Sequence, residues 1–246
     1  MKTNLINYNK TKKIISVILL GGKSSRMNYN KAFLSLPCNS SFLEFIVSKV
    51  IPFSYKVVLN FNQETFYLYE NKYKDFKNRY EIYFDKNILI EIFDDNDLSY
   101  RGPLLGLYST SKYLFNYFNN EIKCKENYKI LLLAIDQVLI QDNLLSFVIN
   151  GNFLFNYDFI FFKHLNNIYF LPGFYKLNSF EYIEKYINKG NNNKKVSLKN
   201  FVNYLLNECY LETKIINTDV IDKEGLTFFR VNTQEDYNLL NSLFIR

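Results

Sequence analysis

The run Ile130-Leu131-Leu132-Leu133-Ala134-Ile135 contains no side chain able to hydrogen-bond, and it ends abruptly in Asp136. So short an apolar run, bounded by charge at both ends, reads as a β-strand covered on both faces. Three other segments share the pattern: Ile14 to Leu20, Lys56 to Asn60, and Ile88 to Phe93. Stretches with helical character separate them. Ser41-Phe42-Leu43-Glu44 has the spacing of a capping box and predicts a helix starting there. Residues 63–76 predict a helix with aromatics on one side, Pro103 stands where a helix should start and run to about 118, and a further helix is expected over about 142–149. Continuous apolar strands alternating with helices predict a mostly parallel sheet with helices on both faces, a Rossmann-like α/β fold.

The second half is less regular. Strands are expected at 157–162 and 168–171, flanking His164 and the Asn166-Asn167 turn signal, and helices at about 178–188 and 197–207 with Gly190 to Asn193 between them. A last strand near 211–216 and a last helix near 233–242 complete the reading. With no linker and no repeat, 13–246 is expected to be one domain, preceded by a polar, flexible N-terminal extension over 1–12.

Composition excludes several classes of function. The chain has 246 residues, of which 48% are hydrophobic and 22% charged, so wholesale disorder is ruled out. Its 24 Phe and 21 Tyr, with no Trp, are spread along the chain rather than gathered into a binding stripe. The net charge of +6 comes from lysines scattered among acids, which argues against nucleic-acid binding. Cys38, Cys124 and Cys209 are widely separated and odd in number, so neither a disulfide framework nor a cysteine zinc site is expected. Lys10, Lys12 and Lys13 before the first apolar run imitate a signal peptide, but the run is short and no Ala-x-Ala site follows. No stretch approaches the ~20 apolar residues of a membrane span. A cytoplasmic protein with no membrane partner is expected.

In open α/β sheets, ligands bind beyond the carboxyl ends of the strands. Here those ends carry chemistry. The first strand runs into Gly21-Gly22-Lys23-Ser24-Ser25-Arg26-Met27 and then Lys31; the second ends in Asn60, the third in Asp95, the fourth in Asp136. Adjacent glycines let backbone N–H groups approach an anion, and Lys23, Arg26 and Lys31 can offset phosphate charge. The loop is neither a Walker A sequence nor Gly-x-Gly-x-x-Gly. Taken alone, Gly-Gly after a strand is more often just a tight turn, and an aspartate such as Asp136 more often the cap of the next helix. The other reading of Asp136 is an oxygen ligand for Mg²⁺. His164 is expected to be a turn residue, and the aromatics of 61–84 to be core.

These residues resemble a known family. Val17-Ile18-Leu19-Leu20-Gly21-Gly22-Lys23-Ser24-Ser25-Arg26-Met27 through Lys31-Ala32 resembles the opening signature of molybdenum cofactor guanylyltransferases, Leu-Ala-Gly-Gly-x-Ser-x-Arg-Met-Gly followed by Asp-Lys. The strand ending in Asn60, Asp95 before Gly102-Pro103-Leu104-Leu105-Gly106, the strand ending in Asp136, and Val231-Asn232-Thr233-Gln234-Glu235-Asp236 match further blocks in order. The resemblance implies a nucleotide-diphospho-sugar-transferase type of fold. The implied activity is transfer of GMP from GTP, with Mg²⁺, onto the terminal phosphate of molybdenum-bound molybdopterin. Carried over, Leu19, Leu20, Gly21, Gly22, Lys31, Asn60, Asp95 and Asp136 would contact GTP. Lys31, Arg26 and Asp136 would be catalytic, with Asp136 also the metal ligand. A monomer is expected, making transient contacts with other molybdenum cofactor proteins.

Four positions depart from the family pattern. Asn28 replaces a Gly, Asn30 an Asp, Val138 a Pro, and Gln234 another Pro. Two alternatives stay open beside the guanylyltransferase: a related transferase using CTP or another phosphorylated acceptor, and a nucleotide-binding homologue with weakened catalysis.

Overall fold

A computed structural model of the chain describes residues 14–20, 31–94, 102–119, 128–151, 153–189, 197–209 and 211–245. Seven strands form one sheet: β1 (Ile14–Leu19), β2 (Lys56–Phe61), β3 (Leu89–Phe93), β4 (Lys129–Ala134), β5 (Phe159–His164), β6 (Asn167–Lys176) and β7 (Thr213–Asn217). Their order is β3-β2-β1-β4-β6-β5-β7. All neighbours are parallel except β6, which runs antiparallel to both β4 and β5. The chain order therefore reverses across β1 and β4, the position at which such sheets open a crevice for ligands.

Strand periodicity explains the two-sided cover. Along β1, Ile14 and Ile18 face one buried cluster while Ile15, Val17 and Leu19 face the other. The same alternation divides Leu131 and Leu133 from Ile130 and Leu132 on β4. The first cluster is closed by α1 (Phe42–Val50), α3 (Glu70–Arg79) and α6 (Asp142–Asn150); the second by α5 (Pro103–Asn119), α8 (Ser179–Lys189) and α9 (Leu198–Glu208). Each large apolar side chain buried in this way contributes roughly 1.5–3 kcal/mol relative to leaving it exposed.

The predicted capping box is present. Ser41 Oγ accepts from the N–H of Glu44, and the Glu44 carboxylate accepts from the N–H of Ser41. The single helix expected over 63–76 is instead two. Helix α2 (Gln63–Phe66) ends in a turn where the N–H groups of Leu68 and Tyr69 bond to the carbonyls of Thr65 and Phe66, and α3 starts after it. This tightening lets Phe66, Tyr69 and Tyr73 all reach the ring of Phe61, at centroid distances of 5.0, 6.2 and 4.8 Å. The aromatics of this region are largely core, with Phe61, Tyr69, Tyr73 and Phe76 buried. Between α3 and β3 lies the short α4 (Glu81–Asp85), and α7 (Phe153–Asn156) precedes β5.

The expected strand 168–171 extends through Pro172 to Lys176. Proline cannot donate to a ladder. Pairing on the β4 side accordingly begins at Gly173, and on the β5 side the register shifts between Ile160 and Phe162. The last helix, α10 (Gln234–Ile245), packs Leu240 into the first cluster. Among the described residues no helix is long and apolar enough to cross a membrane.

Candidate active site

The carboxyl end of β1 is tied on both sides. The N–H of Leu20 donates to the carbonyl of Asn60 at 2.8 Å, and the N–H of Ile135 donates to the carbonyl of Leu19 at 3.2 Å. Leu19 and Leu20, both buried, are thus held between the ends of β2 and β4. Gly21, Gly22 and Arg26 of the loop that follows, and Asp95 after β3, lie outside the described residues, as do Asn28 and Asn30.

Chain emerging from the loop forms a short 3-10 turn, Lys31–Phe33, with Ala32 buried beneath it. This turn delivers Lys31 to Asp136. The Lys31 Nζ stands 3.5 Å from Asp136 Oδ2, with both side chains largely shielded from solvent. The ammonium also donates to Asn232 Oδ1 at 2.9 Å. The other carboxylate oxygen, Asp136 Oδ1, is buried and has no hydrogen-bond partner among the described residues.

Asp136 caps no helix. The helix after β4 begins at Asp142, and its N-cap position is held by Gln141, so the capping alternative is corrected here. What shapes the turn is Gln137, which sequence reasoning missed. Its carboxamide oxygen accepts from the N–H of Ala134 at 3.2 Å, and its nitrogen donates to the carbonyl of Leu171 at 2.7 Å. The buried amide ties the end of β4 to β6 and so fixes the backbone that carries Asp136. The next residue, Val138, sits fully buried in the first core cluster.

On the other flank of β1, Asn60 is 1% exposed and its Nδ2 has no hydrogen-bond partner among the described residues. Buried amide donors are nearly always paired in folded proteins, so this orphan donor at a strand's carboxyl end has capacity for a water or a ligand acceptor. Gly106 explains how α5 comes so near. A Cβ there would lie 2.4 Å from Leu19 Cδ2 and 2.8 Å from Asn60 Oδ1, distances no side chain tolerates. Pro103 opens the helix as expected, preceded by Gly102 at φ +88°.

The C-terminal block closes the third side. Thr233 Oγ1 accepts from the N–H of Asp236, while Asp236 Oδ2 accepts from the N–H groups of Asn232 and Thr233. The backbone N–H of Asn232, followed by that of Thr233, holds the Asp236 carboxyl below the usual carboxylate range. Gln234, at the family's proline position, is the first residue of α10 and leaves this cap intact.

His164 is not a turn residue but the last residue of β5. Its Nδ1 lies 3.4 Å from both Asp219 Oδ1 and Thr218 Oγ1, and its ring covers Gly225, which has φ +66°. None of these contacts involves Lys31, Asn60 or Asp136. Cys38 and Cys209 are both free, and Cys124 lies outside the described residues.

Among the described residues no group of three or more His, Cys, Asp or Glu could hold a metal ion. The donor set still fits one kind of cation. Mg²⁺ takes only one or two carboxylates and fills its remaining positions with water and substrate phosphate oxygens. A single shielded carboxylate beyond the carboxyl end of β4, with one oxygen unpartnered among the described residues, meets that requirement.

The family model described as MobA-like NTP transferase domain matches residues 16–197. The chain belongs to this family. Membership makes it a nucleotidyltransferase, and the MobA-like sheet is the one described above. A "Probable molybdenum cofactor guanylyltransferase" of Clostridium perfringens (strain 13 / Type A) is 26% identical over 229 residues, covering 90% of this chain and 93% of the relative. Molybdopterin-guanine dinucleotide biosynthesis protein A from Archaeoglobus fulgidus shares the fold, with TM-score 0.64 and 18% identity over 94% of this chain and 98% of that one. A 4-diphosphocytidyl-2C-methyl-D-erythritol synthase from Anaerococcus prevotii has the same fold at TM-score 0.63 and 14% identity, over 96% and 99% of the two chains. The MobA-like match stops before Asn232, so the third wall of the site comes from beyond the matched residues.

Proposed function

We propose that this nucleotidyltransferase moves GMP from GTP onto the terminal phosphate of molybdenum-bound molybdopterin, releasing pyrophosphate. The observation that carries the reading is the unpartnered, buried Asp136 Oδ1 beside the ammonium of Lys31. The names of the Clostridium perfringens and Archaeoglobus fulgidus proteins support the choice of nucleotide and acceptor.

An oxygen of the acceptor phosphate attacks the α-phosphorus of GTP. A new P–O bond forms, the bond to the β-phosphate oxygen breaks, and pyrophosphate leaves with the electron pair. The attacking group and its target are both anionic, so the protein's task is to offset charge and hold the two in line. Asp136 would hold Mg²⁺, which when bound draws charge from the transferring group and the leaving pyrophosphate. Lys31 contributes a fixed positive charge beside it. Asn60 offers its amide N–H to the nucleotide, and Leu19 and Leu20 wall the crevice. Gly21, Gly22, Arg26 and Asp95 join the proposed site on sequence pattern. No side chain acts as a nucleophile in this scheme. The proposal includes a single domain over 13–246 after an extension over 1–12, a cytoplasmic monomer, and transient contacts with other molybdenum cofactor proteins.

Turnover of purified molybdenum-molybdopterin with each of the four NTPs tests the reading. GTP should be the substrate turned over fastest, and it should raise the melting temperature more than CTP or ATP. At a hundred times Kd the stabilisation is about 2.7 kcal/mol. Faster turnover with CTP would replace the guanylyl assignment with a cytidylyl one. Binding without turnover by any NTP would point to the weakened homologue.

A further inference from the structure

Two hydrogen bonds fasten the turn 231–236 to the catalytic edge. The N–H of Val231 donates to the backbone carbonyl of Asp136 at 3.2 Å, and one residue on, Asn232 Oδ1 accepts from Lys31 Nζ at 2.9 Å. The turn is not free to follow the lysine. Asp236 grips its N–H groups, and upstream the N–H of Gln141 donates to Thr227 Oγ1 while the Asn143 side chain donates to the carbonyl of Ile221. Asn232 therefore presents its amide oxygen from a fixed frame.

The two distances at Lys31 divide the work. A charge-assisted hydrogen bond between ammonium and carboxylate closes to about 2.7–2.9 Å. Lys31 stops at 3.5 Å from Asp136, and its short contact is instead to the neutral amide. A flexible lysine beside a carboxylate, with no other acceptor, would collapse onto it. That would offset the charge of both groups and tie the lysine down at Oδ2. Held by Asn232, Lys31 stands off the carboxylate instead of closing onto it, and among the described residues Asp136 Oδ1 has no partner.

We infer that Asn232 is a positioning residue. It holds the ammonium of Lys31 off Asp136 so that Lys31 remains available to a phosphate ligand. The inference rests on the proposed reading in which Lys31 meets the triphosphate.

The test uses the full chain, with pyrophosphate and guanosine as separate probes. Asn232→Leu keeps the size of the side chain and removes the acceptor. It should weaken pyrophosphate binding about tenfold, the loss of one hydrogen bond of ordinary strength. Guanosine binding, which needs no lysine, should stay within about twofold, and kcat should fall more than KM for GTP changes. In a Lys31→Met background, adding Asn232→Leu should change pyrophosphate binding by less than about twofold, because the residue acts only through the lysine. An equal loss in that background would overturn the inference by showing that Asn232 meets the ligand itself. Parallel loss of guanosine binding would overturn it too, by showing a general structural role. If Lys31→Met alone binds pyrophosphate like the wild type, the reading of Lys31 fails first, and the inference falls with it. Asn232→Ala, which adds no bulk, supplies the same contrasts if the Leu variant melts lower than the wild type.

Discussion

Gly106 and Asn60 exclude any larger pairing. The carboxamide oxygen of Asn60 stands 2.8 Å from where a Cβ on Gly106 would lie, and Leu19 Cδ2 is closer still at 2.4 Å. A helix glycine ordinarily costs about 1 kcal/mol relative to alanine, so a bare propensity argument favours Gly106→Ala. Overpacking a tight contact costs about 1–3 kcal/mol and outweighs it. Gly106→Ala should lower the melting temperature by a few degrees, and the stabilisation by GTP should shrink as Asn60 is displaced. A thermal melt with and without GTP checks this; a higher melting temperature with an undiminished GTP shift would show that the helix moves aside freely.

For Asp136 the contrast is between chemistry and fold. Its carboxylate does not cap α6, and among the described residues one of its oxygens has no partner. Asp136→Asn should lower turnover by roughly two or more orders of magnitude, in line with several kcal/mol of metal-dependent charge stabilisation. The melting temperature should hardly move, and excess Mg²⁺ should restore little activity. Near-wild-type turnover in the Asn variant would remove Asp136 from the metal role.

Replacing Lys31 tests the anion side of the site. Lys31→Ala removes a charge-assisted contact worth about 1.5–3 kcal/mol, or roughly a 10- to 150-fold loss in rate. Kinetics should show the loss in kcat and not only in apparent GTP affinity. Lys31→Arg should rescue poorly, because a planar fork cannot take the place of a compact ammonium between Asn232 and Asp136. Lys23→Ala is the control. If it does as much damage as Lys31→Ala, the assignment of residues along the loop is wrong.

Far from the site, Lys129 makes stability depend on pH. It lies at the amino end of β4, buried, with its Nζ donating to the carbonyl of Asp158 at 3.3 Å. Burial pushes its pKa down from 10.5 to about 8, against the opposing effect of Asp158. Between those two values the unfolded chain binds more protons than the folded one, so stability rises with pH through this window. Below about pH 8 the penalty is present in full. Lys129→Met should therefore stabilise the protein at pH 7, by up to about 3 kcal/mol, and should flatten the rise between pH 8 and 10. Denaturant titrations of both proteins across that range measure it; a parallel rise in the Met variant would assign the effect to another group.

Much of this molecule follows from local pattern. The runs ending at Leu20, Asn60 and Asp136 show as strands because a parallel strand buried on both faces has no polar side to blur it. Ser41 and Glu44 announce the start of α1 because a capping box is complete within four residues. Local pattern fails where distant partners set the outcome. Pro172 signals the end of a strand, yet β6 continues because its neighbours leave the ladder open beside that residue. His164 stands next to a turn signal, but its pairing with Asn167 across the ladder makes it the last residue of β5.

The site divides along the same line. Residue types at strand ends were enough to single out Lys31, Asn60 and Asp136, since parallel topology brings all carboxyl ends to one edge. Whether Asp136 caps a helix or faces a ligand could not be read from its neighbours in the chain, because both roles place an aspartate after a strand. Folding removes the cap by starting α6 at Asp142, and among the described residues Oδ1 has no partner. The contact between Lys31 and Asn232 spans 201 residues, and no local propensity encodes it. It exists because the turn 231–236 is pinned against the end of β4, which is a property of the packed molecule and of no single segment.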